Sequence, residues 1–231
     1  MTRLIIGPPG ASSGPVPPFT WVATLIMTGV CGLCAAGAET HGSDRLDKSQ
    51  YTLFHPTPPE LMREMNTDRP DKTESPFTVD AGHFQVEADI LNYGYDRYNP
   101  ARDDTRVESV SIAPINLKVG LRNDVDLHLV LETYTSVRTH EVSSGVVRRN
   151  HGFGDILVRL KWNAWGNDGG TTALAVMPYV KLPTNQDNLG NHSVEGGVII
   201  PFAADLAAGW SVGLMTQFDL VRDDPGNGRH L

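Results

Sequence analysis

Beyond residue 82 the chain alternates between apolar and polar residues in segments as long as a β-strand. In the first segment Phe84, Val86, Ala88 and Ile90 are apolar, whereas the residues between them are polar or charged. Because successive side chains of a strand point to opposite faces, such a strand has an oily face and a wet face. The pattern therefore predicts a sheet that separates two media of different polarity.

Seven strands of this kind are predicted, with Gly-, Asp- and Asn-rich turns between them. They span about residues 82–95, 107–121, 125–138, 154–165, 171–182, 194–204 and 209–221. The links between them alternate in length: three are short (122–124, 166–170, 205–208), and three are long and polar (near 96–106, 139–153, 183–193). Long loops at one end and short turns at the other are typical of outer-membrane barrels. We predict an all-β, antiparallel transmembrane barrel of the bacterial outer membrane.

The start of the chain has the features of a secretory signal. An apolar run over residues 19–36 is followed by Ala36-Gly37-Ala38, a small-residue cleavage site, so residues 1–38 are predicted to be removed on export. The alternative is a membrane anchor, for which this run is barely long enough. The Pro-rich residues before the run indicate a start codon further downstream or an extended gene model. Cys31 and Cys34 lie within the run, which argues against a redox role for this C-x-x-C pair.

The next segment, residues 39–79, lacks sustained periodicity and is rich in proline. We expect an irregular arm, either periplasmic or docked in the lumen of the barrel, followed by the barrel itself over residues 80–231. Bacterial single-chain barrels have even strand numbers, and seven is odd. The chain also ends in polar residues, without the aromatic residue expected at the end of a closing strand. Both observations predict a barrel that is truncated at its C-terminus.

Composition narrows the class of protein further. The 231 residues suffice for one barrel or one large sandwich domain, and the mean hydropathy of -0.23 excludes a polytopic helical membrane protein. A barrel hides its membrane signal, because every second residue faces lipid. The formal charge of -8 gives no basic surface for nucleic acid. It indicates either simple solubility or a lumen that favours cations.

A motif near the first strand resembles a known family. The run 66–79, NTDRPDKTESPFTV, is similar to the pattern T-D-R-P-D-x-T-x-S-P-x-T-V of transporter-like outer-membrane proteins named after the phenol meta-cleavage degradation pathway. Gly82 with Gln85-Val86-Glu87, and later Gly152-Phe153-Gly154-Asp155, extend the likeness. The resemblance covers about residues 66–221. It implies an outer-membrane barrel with a role in the uptake of aromatic or other small compounds, and it gives no substrate.

Seven charged side chains are expected to face the lumen if the apolar rows face lipid. Such charges can set the selectivity of a pore, or they can fill it with salt bridges that only stabilise the barrel. On a soluble sandwich the same side chains would simply face solvent. The candidates for contact with a solute are Glu87, Asp89, Lys118, His128, Glu132, Arg159 and Lys161.

The family motif itself is a candidate gate. It carries a dense mixture of charges that could pair with lumen residues, so that the segment would act as a plug. The alternative is an entry turn that prolines and local ion pairs hold in place. The motif residues concerned are Thr67, Asp68, Arg69, Pro70, Asp71, Lys72 and Thr73, with Glu74 completing the charged set.

Catalytic and metal-binding constellations are not recognisable in the sequence. The loop histidines are too scattered for metal-ligand spacing, and no G-x-S-x-G elbow occurs. We therefore expect no enzyme and no cofactor, but a channel through which small solutes, aromatic ones among them, diffuse. Its expected partners are outer-membrane lipid, the solute and the barrel-assembly machinery. The alternative is a soluble periplasmic β-sandwich that binds or carries a ligand.

Overall fold

The computed structural model describes residues 47–68, 73–97, 105–190, 192–207, 210–222 and 229–230. The predicted signal peptide with Cys31 and Cys34, and the four motif residues 69–72, lie outside the described residues. The described chain is an all-β, antiparallel protein, with a 3₁₀-helical turn at Pro59–Leu61. None of the helical structure described in it is long and apolar enough to cross a membrane.

The strands of the described chain follow one another in sequence order. Their bounds are β1 Phe84–Ala88, β2 Leu91–Asp96, β3 Arg106–Ile112, β4 Ile115–Arg122, β5 Val125–Leu131, β6 Tyr134–His140, β7 Val147–Gly152, β8 Ile156–Trp165, β9 Thr172–Leu182, β10 Glu195–Asp205, β11 Ser211–Arg222 and β12 Arg229–His230. They form a sheet in the order β1-β4-β5-β8-β9-β10-β11-β12 and a second sheet in the order β2-β3-β6-β7. We call these the lower and the upper sheet.

The two sheets are the lower and upper parts of one meander. β1 leads directly into β2, β3 into β4, β5 into β6 and β7 into β8, and every pairing is antiparallel. Within the described residues β1 and β2 form one edge of the meander, and β11 with β12 forms the other. No pairing between the two edges occurs among the described strands.

The chain leaves the lower sheet and enters the upper sheet, or the reverse, where β1 passes into β2, β3 into β4, β5 into β6 and β7 into β8. We call this line of breaks the crease. At the crease Ala113 has a φ of 48° and precedes Pro114, which has no N–H for the ladder. The Thr133 hydroxyl donates to the carbonyls of Ile112 and Ala113, at 2.6 and 2.9 Å, and so takes over part of the broken pairing. The sequence predicted unbroken strands over 107–121 and 125–138. The structure instead divides each of them at the crease.

The link predicted over residues 139–153 is wrong in most of its length. Val147–Gly152 forms β7, which pairs with β6 from Thr135 to His140, so that only residues 141–146 connect the two strands. Apart from Val147, the segment VRRNHG has no large apolar side chain on either alternate row. Alternation, the signal that found the other strands, is therefore absent from it.

On β1, β4, β5 and β8 the lower sheet has polar side chains buried and many apolar side chains exposed, whereas the buried row of β9 and β10 is apolar. Trp162 and Leu160 on β8 are 49% and 41% exposed, whereas Lys161 between them is fully buried. The same inversion holds on β1, where Phe84 is exposed and Glu87 is buried. Residues 47–68 and 73–83 lie against the polar face, as the contacts described next show. No other described segment covers the apolar face.

Candidate functional site: a docked arm on a charged sheet face

Residues 47–68 and 73–83, which we call the arm, are bound to the polar face by backbone as well as side-chain contacts. The N–H of Gly82 donates to the carbonyl of Gly120 at 2.8 Å, and the N–H of Gly120 donates to the carbonyl of His83 at 3.0 Å. A Cβ atom at Gly120 would overlap the carbonyl oxygen of Asp80. Glycine at this position of β4 therefore allows the arm to cross the strand at backbone distance.

Asp68 is the centre of the contacts between the arm and the sheet. Its carboxylate accepts hydrogen bonds from Lys161 Nζ at 3.1 and 3.2 Å, and it lies 2.5 Å from Lys118 Nζ. The N–H of Ser75 also donates to it, at 2.8 Å, which closes the motif on itself. Lys118 on β4 and Lys161 on β8 are separated by the whole width of β5. A single carboxylate can reach both lysines because their long side chains lie on the same face of the sheet.

Two further carboxylates of the sheet complete this ionic cluster. Glu87 on β1 lies 2.5 Å from Lys118 Nζ and accepts the N–H of Asp68 at 3.1 Å. Asp126 on β5 accepts the N–H of Val79 at 2.8 Å and lies 2.9 Å from Nε2 of His128. Both carboxylates are buried, and each joins an arm N–H to a neighbouring side chain of the sheet. Burial of these groups is tolerated because each has charge-assisted hydrogen bonds.

β8 holds the second half of the motif. Lys161 Nζ donates to the carbonyl of Phe77 at 3.2 Å, and the Asn163 amide donates to the carbonyl of Pro76 at 2.8 Å. Arg159 donates from its guanidinium to Glu74 at 2.8 Å. Three successive inward side chains of one strand thus bind three positions of the arm. Residues 74–77 are therefore held against the inner face of β8.

A second ionic cluster lies at the short-turn end of the sheet. Arg63 contacts Asp80 at 3.3 Å and Asp168 at 2.9 Å, and Lys48 contacts Asp168 at 2.8 Å. The guanidinium of Arg63 also donates to the side-chain oxygen of Asn123 at 2.7 Å. Asn123 and Asp168 belong to the turns that follow β4 and β8, so the first part of the arm is fastened to the ends of the strands.

The lysines determine the ionisation of Asp68. Burial alone would raise the pKa of this carboxyl, but the ammonium groups of Lys161 and Lys118 lower the pKa below its ordinary value. In the turn, burial would likewise raise the pKa of Asp168, and hydrogen bonds from Lys48, Asn123 and Arg63 lower it. Both carboxylates therefore remain charged at a lower pH than free aspartate side chains would.

The structure brings five of the seven sequence candidates together. Glu87, Lys118, His128, Arg159 and Lys161 are buried on the polar face of the lower sheet.

The remaining candidates lie elsewhere. Asp89 lies at the crease, where it accepts a hydrogen bond from the Asn92 amide at 2.9 Å, and Glu132 lies at the crease beside Gly154. Of the described motif residues, Thr67 is exposed and Thr73 lies near Gly213 of β11. Arg69, Pro70, Asp71 and Lys72 lie outside the described residues.

Sequence reasoning missed several members of the site. Asp126 and Asn163 occupy the same rows as His128 and Lys161, two residues away, so the alternation could have included them. Lys48, Arg63 and Asp80 belong to the irregular arm, where no periodicity marks a side chain as inward-facing. Their role depends on how the arm docks, which is a tertiary property.

The remaining part of the inner face, on β9 to β11, is less charged. Tyr179 donates from its hydroxyl to Asp219, which also accepts the Gln217 amide at 2.7 Å. Towards the short-turn end small residues such as Ala173 and Gly213 replace these polar groups. Between them and residues 73–77 of the arm lies a cleft of about 510 Å³. The described residues contain no group of three or more side chains suited to hold a metal ion.

Comparison with known families identifies the chain. The family described as "Putative MetA-pathway of phenol degradation" matches residues 67–230. The chain belongs to this family. The resemblance inferred from the motif at residues 66–79 is thereby confirmed. The match begins at the motif that contains Asp68 and runs through the whole meander, so the docked motif and the sheet are both parts of this phenol-degradation family's pattern. No curated protein and no solved structure matches the chain.

Proposed function

We propose that this member of the phenol-degradation family is an outer-membrane channel that lets small solutes, aromatic compounds among them, diffuse through a polar lumen. The observation that carries the proposal is the inverted distribution of side chains: ionic groups are buried on one face of the sheet, and large apolar side chains are exposed on the other. In water such an apolar surface would promote association. In a bilayer it would be solvated by hydrocarbon, and the ionic face would line a lumen.

Exposed aromatic side chains support a position in a membrane. Trp162, Trp165 and Trp210 are about half exposed near the short turns, and Tyr93 and Tyr134 are exposed just beyond the crease. Aromatic residues of this kind are enriched at both bilayer interfaces. We call the two groups the tryptophan belt and the tyrosine belt.

The spacing of the two belts suits a bilayer. Val125 pairs with Trp162, and along β5 and β6 the chain from Val125 to Tyr134 spans about 30 Å at about 3.3 Å per residue. Strands tilted by about 40° would make this a band about 23 Å tall, close to the about 25 Å typical of such proteins. In this arrangement the short turns face the periplasm and the long loops face outwards.

The arm supports a gating role. Asp68 and Glu74 of the motif pair with Lys118, Lys161 and Arg159 of the wall, so the docked arm occupies the lumen face. We propose that the docked arm is the closed state and that passage requires its partial release. Solutes would then move past the cleft beside residues 73–77. The proposed passage involves no chemical step and no cofactor.

The soluble β-sandwich carrier is the less favoured alternative. In a sandwich the apolar rows would pack against a second sheet. In the described part of the chain, only the arm covers a face of the lower sheet, and it covers the polar one. Cell fractionation distinguishes the two hypotheses. A barrel inserted by the assembly machinery should remain with the outer membrane and change its gel mobility on heating. A carrier should appear in the periplasmic extract.

Solute flux tests the proposed function directly. We would reconstitute the full chain in phosphatidylcholine vesicles and follow swelling in isosmotic 4-hydroxybenzoate and in arabinose. We expect slow swelling with the wild type, and swelling at least about fivefold faster with Glu74→Gln, which loses the contact with Arg159. The matched control is Glu141→Gln, in the outer turn between β6 and β7. Equal impermeability of wild type and both variants would contradict the channel.

A further inference from the structure

The outer row of the upper sheet carries a concentration of arginine. On β6 the side chains of Thr135 and Val137 are buried, so Arg138, which lies on the alternate row, faces outwards and is 51% exposed. The register pairs Glu108 of β3 with Arg138, and Arg138 with Arg149 of β7. Tyr95 of β2 pairs with Glu108 at the other end. These four side chains therefore lie in one line across four strands.

The basic charge on this line exceeds the acidic charge. Glu108 lies 3.9 Å from Arg138, and no ion pair of Arg149 with an acidic side chain exists among the described residues. Arg106 adds a third guanidinium to the outer row, one position beyond Glu108 along the row of β3. Like charges directly opposite each other on neighbouring strands destabilise the sheet. In a chain with a formal charge of -8, the apposition of Arg138 and Arg149 calls for an anion from outside the protein.

The position of the line identifies the source of the anion. Tyr95 belongs to the same line, and Tyr93 of the tyrosine belt is two residues below it on β2. In the proposed orientation the line lies at the outer boundary of the bilayer, where lipid headgroups are. Guanidinium groups bind phosphate through paired, charge-assisted hydrogen bonds. Basic residues beside a membrane boundary are a recurrent way to bind anionic headgroups.

We propose that Arg138 and Arg149, with Arg106 beside them, bind the phosphate of a phosphorylated lipid headgroup in the outer leaflet. The inference rests on the proposed position in the membrane. The lipid phosphate neutralises the two facing guanidinium groups, and the acyl chains of the same lipid lie against the tyrosine belt and the apolar rows below it. One lipid thereby stabilises the upper part of the wall where the sheet extends beyond the crease.

The experiment measures the binding of diphosphorylated lipid A to the full chain in a nonionic detergent. We expect the double variant Arg138→Gln/Arg149→Gln to bind at least about tenfold more weakly than the wild type. The matched control is Arg148→Gln, which removes the same charge from the same strand but on the opposite row. We expect it to bind within about twofold of the wild type.

Two further measurements identify the source of the phosphate and remain informative if the double variant misfolds. Lipid A stripped of its phosphates should bind the wild type at least about tenfold more weakly, and this comparison stands even if the double variant fails to fold. Millimolar inorganic phosphate should not displace the intact lipid. Any one of four results would overturn the inference. Two concern variants: equal binding by the wild type and the double variant, or an equal loss of binding with Arg148→Gln. Two concern the ligand: equal binding of the stripped lipid, or displacement of the intact lipid by inorganic phosphate.

A separate readout distinguishes this failure from failure of the proposed membrane position. Insertion of the wild type into phosphatidylcholine vesicles is followed by quenching of tryptophan emission with brominated lipid. If the emission is quenched but lipid A binds equally well with and without its phosphates, only the headgroup site is contradicted. Absence of quenching would contradict the membrane position and the headgroup site together.

Discussion

At the scale of the residue, Asp68 makes more contacts with buried charges of the sheet than any other motif residue that the structure describes. Its carboxylate joins Lys118 and Lys161 from two strands that are not neighbours, and its N–H donates to Glu87. The two lysines are almost fully buried and have the arm and the sheet as their counter-charges. Removing one partner of a buried ion pair leaves a charge without compensation, which is more damaging than losing an exposed pair.

Asp68→Asn should therefore destabilise the folded protein strongly. We expect a loss of about 3 kcal/mol in the free energy of unfolding, because Lys118 and Lys161 remain buried beside a neutral amide. The measurement is urea unfolding of the reconstituted chain, followed by tryptophan emission. The control is Asp187→Asn, an exposed carboxylate that pairs with an exposed His151, for which we expect a change below about 0.5 kcal/mol. Similar losses in the two variants would contradict the central place of Asp68.

The same carboxylate predicts how stability depends on pH. The folded-state pKa of Asp68 lies below the ordinary value of about 4, so its contribution is fully present above about pH 4 and decreases as the pH falls towards the lowered pKa. The difference in unfolding free energy between wild type and Asp68→Asn should accordingly be constant from pH 7 to about pH 5 and should shrink below about pH 4. A difference that already shrinks between pH 7 and pH 5 would be incompatible with a lowered pKa.

At the scale of the element, the arm and the sheet are fitted to each other by one close crossing at Gly120. The arm runs over β4 there, and Ala81 forms a parallel bridge to Gly120. The crease is a second such feature, since Ala113 with its positive φ and Pro114 interrupt the ladder where the sheet bends. Both features are local departures from regular strand structure: one brings the arm against the backbone of β4, and the other separates β3 from β4 at the crease.

Gly120→Ala should displace the arm. The added methyl group would overlap the backbone carbonyl of Asp80, which a side-chain rotation cannot relieve. We expect trypsin to cleave after Arg63 at least about fivefold faster in this variant, because Arg63 is only 12% exposed in the docked arm. The measurement is the time course of fragments from the folded protein.

The control for this crossing is Gly94→Ala on β2. Its methyl group would meet only the hydroxyl oxygen of Ser109, which can rotate away. We expect its cleavage rate at Arg63 to remain within about twofold of the wild type. Equal acceleration in both variants would mean that a general loosening of the sheet, rather than the crossing at Gly120, exposes the arm.

The elements also show how far the sequence predicts the fold. Strict alternation found β4, β5 and β8, because Lys118, His128 and Lys161 stand between apolar neighbours in them. It failed for β7, where Arg148 and Arg149 make both rows polar, and it did not find the crease, which depends on one residue in a left-handed conformation. The arm contacts of Arg63 were beyond prediction, because an irregular segment has no period that marks its inward side.

At the scale of the whole molecule, the lower sheet buries ionic side chains against the arm and leaves large apolar side chains exposed on its other face. A water-soluble protein places its ionic groups outside and its large apolar groups inside. In this chain Lys161 is buried and Trp162 beside it is half exposed, and the same order repeats on β1, β4 and β5. The family match begins at the motif that contains Asp68, so the segment that neutralises the inner face is part of the family's own pattern.

The most direct test of this account compares the surroundings of outward-facing residues on β8 and β11 with those of an inward-facing residue on β8. Single spin labels would be placed at Leu160 of β8 and Thr216 of β11, which are exposed on the apolar face, and at Asn163 of β8, which is buried on the polar face. The labelled full chain would be reconstituted in phosphatidylcholine vesicles. Collision with oxygen, which concentrates in the bilayer, should be frequent at Leu160 and Thr216 and rare at Asn163. A label at Leu160 that collides mainly with a water-soluble nickel complex, or with neither reagent, would contradict the claim that the apolar rows face lipid.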